Sequence, residues 1–451
     1  MSKEQLYQII EENKKDFEEI SDAVWEYAEL CFEEVKSSKL QMEYMEKQGF
    51  RITTPIAGMK TAFMAEFGSG KPVLAMLGEN DALANQSQVA DLPQQKALVE
   101  GGAGHACGHN LHGTGAIEGV CALKRYMELN HIPGTLRYYA CPAEEGGGGK
   151  VIMCAAGTFQ DVDACVSWHP FAKFSVTRNH LALIQFDLTF HGTASHASGS
   201  PWNGRSALDA LELTNVGIQF LREHITTDSR IHYAILDAGG TAPNVVQHTA
   251  KGRYCVRASD VDYVEELYQR VLRIAQGAAM MTDCQLDDPD IMIALKNKIG
   301  NETLEQLLVD NITALLPLSY TEEELAYARE FQKYGTMPDA PTPIDFNFYD
   351  ERQNPGTGSS DCSDVSHVIP LAQLYSCCAP IGAINHGWTT TAVGKSSIAK
   401  RGMHVSAKAL AGTLLDLYQN PELLAKVRKD FQAAGGGKPY HTLLPLDRVP
   451  K

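Results

Sequence analysis

The 451-residue chain has no stretch of roughly 18 uninterrupted apolar residues, the length that a membrane-spanning helix needs. It also lacks a Lys/Arg block. With 39 basic residues against 55 acidic ones its net charge is −16, which argues against a nucleic-acid backbone or an anionic membrane as partner. The opening residues, MSKEQLYQIIEENKKDFEE, are charged from the third position and do not hold the apolar core of a secretory signal. Eleven cysteines, an odd number without such a signal, fit reduced thiols in a cytoplasmic protein better than a disulfide framework. No internal repeat or low-complexity segment is present.

What remains is a globular composition, 44% apolar and 21% charged, on a chain long enough for two domains. Apolar residues at helical spacing predict a helix over 4–30 and a second over 36–48, ending at Gly49. Several short apolar runs then end in ionisable residues. Val73–Leu77 leads into Glu79-Asn80-Asp81, and Thr135–Cys141 leads into Glu144-Glu145. Ala164–Trp168 reaches His169, and the runs 374–378 and 381–384 precede Asn385-His386. Helical patterns separate them, as over 111–130 and 403–417. Strands alternating with helices predict an α/β sheet, whose ligands bind beyond the carboxyl ends of the strands. The reactive residues all sit at such ends.

Between 181 and 297 the texture changes to strand, helix, strands, helix, strand, an α+β sandwich able to fold as its own unit. Because α/β texture resumes afterwards, the expected organisation is one domain from 1–180 and 298–451, with 181–297 inserted into it. The Pro/Gly-rich stretch at 335–359 reads as a long loop.

The densest chemistry lies in Gly104–Gly113, where Cys107 and three histidines (His105, His109, His112) fall within eight positions. Thiolate and imidazole donors at such spacing suit zinc, manganese or a similar divalent ion. Alternatively, Cys107 is a nucleophile with His109 or His112 as its base. That thiol chemistry leaves the acid pair Glu144-Glu145 without a task. Neighbouring residues on a strand face opposite ways, so these two acids could divide the work of metal ligand and general base. The glycines that follow do not make a phosphate loop, because Glu144 and Val151 stand where that motif requires Gly and Ser/Thr. His169 and His386, isolated in sequence, gain interest from their strand-end positions. Arg253 and Arg257 share a strand face, and either could grip a carboxylate. Asp361 and Asp364 could cap a helix or support a ligand from behind.

Taken together, His105–His109, Pro142–Gly147, Trp168-His169-Pro170 and His386 resemble the aminoacylase/amidohydrolase branch of the dinuclear metallopeptidases. That superfamily includes carboxypeptidase G, aminoacylases and plant auxin-conjugate hydrolases. The resemblance continues through Lys150–Met153, Gly204–Ala210, Ala242–Val246 and Lys395–Ala399, in order and over essentially the whole chain. It implies a zinc-peptidase-like α/β catalytic domain with an inserted α+β, ferredoxin-like dimerisation domain. It also implies two divalent ions per subunit, Mn or Zn, held by Cys107, His109, Glu145, His169 and His386, with Glu144 as general base. By the same resemblance His196 reaches a partner subunit's site to stabilise an oxyanion, Asn244 lies beside the substrate, and Arg257 holds the substrate carboxylate.

The implied activity is hydrolysis of the amide of an N-acyl or N-aroyl amino acid, or of a dipeptide-like substrate, by a homodimer or a heteromer with a sister subunit. A metal-binding regulatory subunit without turnover is the competing expectation; an intact Glu144 weighs against it. Asn80, Ala84, Asn110 and Ser363 depart from the family pattern. These departures bear on substrate identity more than on the metal chemistry.

Overall fold

In the computed structural model, which describes residues 3–354, 356 and 358–446, the chain opens on the helix Lys3–Tyr27 and the helix Val35–Lys47. Leu6, Ile10, Phe17, Ile20 and Val24 recur at helical spacing along the first helix and are all buried. The chain then lays down β1 (Arg51–Thr53), β2 (Phe63–Ser69), β3 (Val73–Gly78), β4 (Gly134–Ala140), β5 (Ala164–Phe171) and β6 (Phe174–Thr177). It leaves this sheet for a second one made of β7 (Ala182–His191), β8 (Arg230–Asp237), β9 (Thr249–Ala258), β10 (Gln285–Leu286) and β11 (Asp290–Leu295). It returns to the first sheet with β12 (Phe348–Glu351) and β13 (Leu371–Cys377).

The larger sheet has the order β1-β2-β4-β3-β5-β13-β6-β12. Its centre, β4-β3-β5-β13, is parallel, and β2 and β6 pair antiparallel at its flanks. Alternation along β3 explains its two cores. Leu74 and Met76 face the layer that contains helices His109–Asn130 and Ser397–Gln419, whereas Val73, Ala75 and Leu77 face the opposite way. That second core runs on without a break into the smaller sheet and its helices Ala207–Leu221 and Val261–Met281. These helices start where the sequence supplies caps: Ser206 accepts from the Asp209 amide, and Asp260 from the Asp262 and Tyr263 amides.

The two long helices of the first layer are joined by a buried ion pair. His404 Nδ1 lies 2.8 Å from the Glu118 carboxylate, and Glu118 is fully buried. Burial opposes a charge on His404, but Glu118 and Glu18 outweigh it and raise its pKa. His404→Ala would strand the Glu118 carboxylate, and we expect it to lower the unfolding free energy by about 3 kcal/mol in chemical denaturation.

Some sequence expectations need correction. The run 381–384 is a turn, with Gly382 at φ +76°, rather than a strand. The last strand of the smaller sheet is broken into β10 and β11, which meet different parts of β7. The stretch 335–359 is not loop throughout, because it carries β12; Pro355 and Thr357 lie outside the described residues. Among the described residues, no helix is long and apolar enough to cross a membrane.

Candidate active site

The carboxyl ends of β5 and β13 and the turn that follows β4 open into a cleft of about 750 Å³ that is also walled by β6 and β12 and by β7, β9 and β11 of the smaller sheet. Cys107, Glu144, Glu145, His169, His386 and Arg257 all line it. Predicted ligands and the predicted base, distant in sequence, therefore meet in one place.

Each side chain is held by local structure. Gly108, at φ +76°, starts the helix His109–Asn130; a Cβ there would press on Pro170 at 3.0 Å, so the turn that carries Cys107 and His109 can pass close to the His169 strand. His109 Nδ1 donates to Asp81, at 3.0 Å from its carbonyl and 3.1 Å from Oδ1, which leaves the buried Nε2 3.3 Å from Glu79 Oε2 and 3.9 Å from Glu145 Oε1. His169 Nδ1 donates to the Pro170 carbonyl at 2.8 Å and leaves Nε2 3.4 Å from Cys107 Sγ. His386 adopts φ +59°, a strained value for a residue other than glycine, and its amide is tied to the Ala106 carbonyl. Its Nε2 stands 3.6 Å from Glu145 Oε2.

The acid pair differs from the strand picture. Glu144 and Glu145 lie beyond β4 in a turn that follows Ala143, itself at φ +60°. They do not alternate across a sheet, and both reach the same cleft. The Glu145 amide donates to Asp81 Oδ2 at 2.8 Å, so one aspartate orients both His109 and the acid turn.

Among the described residues two donor triads contain Cys107, each with its ligand atoms within 4.8 Å of one another: Cys107/His109/His169 and Cys107/Glu145/His386. They share the Cys107 sulfur. The donors fit a pair of divalent ions, since His109 Nε2 and Glu145 Oε1 are buried and have no hydrogen-bond partner among the described residues. Such atoms are costly unless a cation meets them. Glu144 has its pKa pushed well up by burial and by the nearby Glu79, Asp361 and Glu145 carboxylates. This excess of buried negative charge is what a cation pair would relieve.

The other histidines of the cluster do different work. His105 Nε2 lies 3.0 Å from the Val24 carbonyl, and His112 Nδ1 accepts from the Glu79 amide at 2.8 Å. Both are fully buried, so neither faces substrate. Of the two other groups of potential donors, one joins Glu144 to Glu79 and His109, and the other, Glu79, Asp361 and Cys362, already contains a cation: the Lys150 ammonium sits 2.5 Å from Glu79 Oε1 and 2.6 Å from Asp361 Oδ1. Asp361 thus holds Lys150, and its side chain does not cap the helix Cys362–Val368. Asp364 likewise accepts from the Lys296 amide and the Tyr440 hydroxyl.

Sequence reasoning missed Lys150 and the full role of Asp81. The signals for them were position, since Asp81 ends the β3 run and Lys150 follows the glycines after the acid pair, and for Lys150 also its place in the run Lys150–Met153 that carries the resemblance. The two arginines separate clearly. Arg253 is bound to Asp187 through Nε at 2.7 Å, whereas Arg257 faces the cleft and donates to Ser359 at 3.1 Å. His196 and Asn244 do not line this chain's own cleft. They lie on two adjoining loops of the segment that carries the smaller sheet, joined by the Ala197 amide to the Asn244 carbonyl at 2.9 Å.

Comparison with known proteins agrees with this architecture. The family model described as peptidase family M20/M25/M40 matches residues 75–438. One of the named subunits of p-aminobenzoyl-glutamate hydrolase from Escherichia coli K12 is 37% identical, over 98% of this chain and 97% of its own length. The Xaa-Arg dipeptidase of Mus musculus is 29% identical, covering 92% of this chain and 88% of its own. Among solved structures, an aminobenzoyl-glutamate utilization protein from Klebsiella pneumoniae shares the fold with a TM-score of 0.64 at 18% identity, across 92% of this chain and 99% of that one. A dinuclear metal-binding peptidase of the M20 family from Bacillus subtilis does so with a TM-score of 0.60 at 17% identity, across 91% and 99%. The chain is a metal-dependent hydrolase that belongs to peptidase family M20/M25/M40.

Proposed function

We propose that this chain hydrolyses the amide bond that joins an acyl or aroyl group to an amino acid, with p-aminobenzoyl-glutamate as the model substrate. The observation that carries this reading is the pair of donor triads sharing Cys107, with Glu144 in the same cleft. In the proposal, Cys107, His109 and His169 hold one divalent ion, and Cys107, Glu145 and His386 hold the other. A shared thiolate with imidazoles suits zinc, and manganese is the alternative. The ions would acidify a shared water and polarise the amide carbonyl. Glu144 accepts the proton as attack begins and returns it to the amine that leaves.

Arg257 supplies the cationic group for the carboxylate of the amino acid. It lines the cleft without a carboxylate partner among the described ion pairs, whereas Arg253 is committed to Asp187. Arg257→Ala is expected to raise KM by on the order of 10-fold or more with a smaller change in kcat, and Arg253→Ala to leave KM unchanged. Steady-state rates on p-aminobenzoyl-glutamate check both.

His196 and Asn244 enter this reading through a second copy of the chain. β8 pairs only with β9 among the described strands, so its outer edge is open, and Tyr233, Ile235 and Leu236 on it are exposed. Phe220 and Val216 on the helix Ala207–Leu221 are exposed as well, at 74% and 51%. An open edge flanked by apolar side chains is a surface that a partner covers. The 37%-identical relative is named as one subunit of its hydrolase, and a second named subunit from the same organism is 29% identical over about half of this chain. A sister chain is therefore the other candidate partner. Sedimentation of the purified chain separates a homodimer from a monomer awaiting that sister.

The test of the activity itself is a panel of N-acyl amino acids and dipeptides incubated with metal-loaded and chelator-treated protein. Metal-dependent release of a free amino acid is expected. A metal-loaded protein that releases none from any member overturns the proposal.

A further inference from the structure

The cleft wall beside His169 carries a hydroxyl that the chemistry above does not use. β13 runs parallel to β5 with Tyr375 directly opposite His169, so the two side chains stand on the same face of the sheet with ring centroids 5.8 Å apart. Tyr375 and His180 both line the cleft, and the phenol oxygen lies 2.7 Å from His180 Nε2. The other nitrogen of that ring, Nδ1, lies 3.2 Å from the hydroxyl of Ser363, which is fully buried.

The direction of this chain follows from counting protons. Burial, with Lys298 beside it, lowers the His180 pKa to about 3, so the ring is neutral and carries a single N–H. The buried Ser363 hydroxyl needs an acceptor, and His180 Nδ1 is its partner among the described hydrogen bonds. Ser363 therefore donates to Nδ1, the ring proton resides on Nε2, and Nε2–H donates to the phenol oxygen. Tyr375 is left with its own O–H free to point into the cleft, next to the ligand that faces Cys107.

We infer that Tyr375 is a further catalytic residue, a neutral donor to the substrate's carbonyl oxygen as that oxygen gains charge, with His180 and Ser363 as the positioning residues that aim it. This rests on the amide-hydrolase reading. A preorganised donor of this type acts without a second copy of the chain, because all three residues come from one chain.

The test compares Tyr375→Phe, Ser363→Ala and the double variant on p-aminobenzoyl-glutamate and the N-acyl amino acid panel. Tyr375→Phe is expected to lower kcat by on the order of 10²-fold with KM nearly unchanged, while bound metal and the unfolding midpoint stay at wild-type values. Ser363→Ala is expected to cause a smaller loss that disappears in the Tyr375→Phe background, since it acts only through the phenol. Tyr375→Phe with wild-type kcat, an effect confined to KM, or full additivity of the two substitutions would each overturn the inference. A wild-type chain that hydrolyses nothing fails the amide-hydrolase reading itself, whereas metal-dependent wild-type turnover with an unaffected Tyr375→Phe fails this inference alone.

Discussion

Glu144→Gln is expected to lower kcat by on the order of 10³-fold while both metal equivalents stay bound. That loss corresponds to about 4 kcal/mol of transition-state stabilisation. Glu144 forms a donor group with Glu79 and His109 but belongs to neither of the triads that share Cys107, so the amide leaves both of those triads intact. Glutamine keeps the length and shape of the side chain and removes only its ability to accept and return a proton. The substitution also removes one of several carboxylates crowded beneath the cleft, which raise one another's pKa through burial and like charge. Its fold should therefore not suffer. Metal analysis beside steady-state kinetics decides the matter. A variant with near-normal kcat excludes Glu144 as the base, and one that loses metal makes it a ligand instead.

Cys107→Ala is expected to abolish turnover by removing both ions together. Its sulfur is the one atom common to the two triads, whereas His386 belongs to only one of them. Metal content should accordingly fall from two equivalents to well below one in Cys107→Ala, and by about one equivalent in His386→Ala. Cys107 is part of a turn, not of either hydrophobic core, so the alanine variant should keep its unfolding behaviour in the absence of metal. The same site separates metal chemistry from a thiol enzyme. If the thiolate is a bridging ligand, bound metal shields it from alkylating reagents and a chelator abolishes turnover. If it is the nucleophile, alkylation inactivates the metal-loaded protein and a chelator does not.

The sequence made the groups that end strands legible. His169, Glu144, Glu145 and His386 each follow an apolar run, and in a parallel sheet such ends converge, which the cleft reflects. It was less informative about what turns those groups. Asp81 is two residues past a glutamate in a polar run, and nothing local says that its side chain would hold both His109 and the Glu145 amide. The Lys150 ammonium lies between Glu79 and Asp361, partners 71 and 211 residues away in the chain, a contact that no periodicity encodes. The His180–Tyr375 pair spans 195 residues and depends on the register of β13 against β5. The acid pair does lie past the end of β4, but it does not alternate as strand neighbours would, because the positive φ of Ala143, a residue with no special turn preference, cannot be read from composition. The run 381–384 was apolar enough for a strand and too short to resist the turn that Gly382 imposes.

The central claim is that hydrolysis depends on two ions held by one shared thiolate. It is tested most directly by stripping the purified chain with a chelator and titrating zinc or manganese back. Bound metal and release of glutamate from p-aminobenzoyl-glutamate are then followed together. The expected result is no turnover at zero equivalents and full rate on reaching two per chain, with Cys107→Ala unresponsive throughout. Turnover that persists in the stripped protein, or that Cys107→Ala recovers on adding metal, would contradict it.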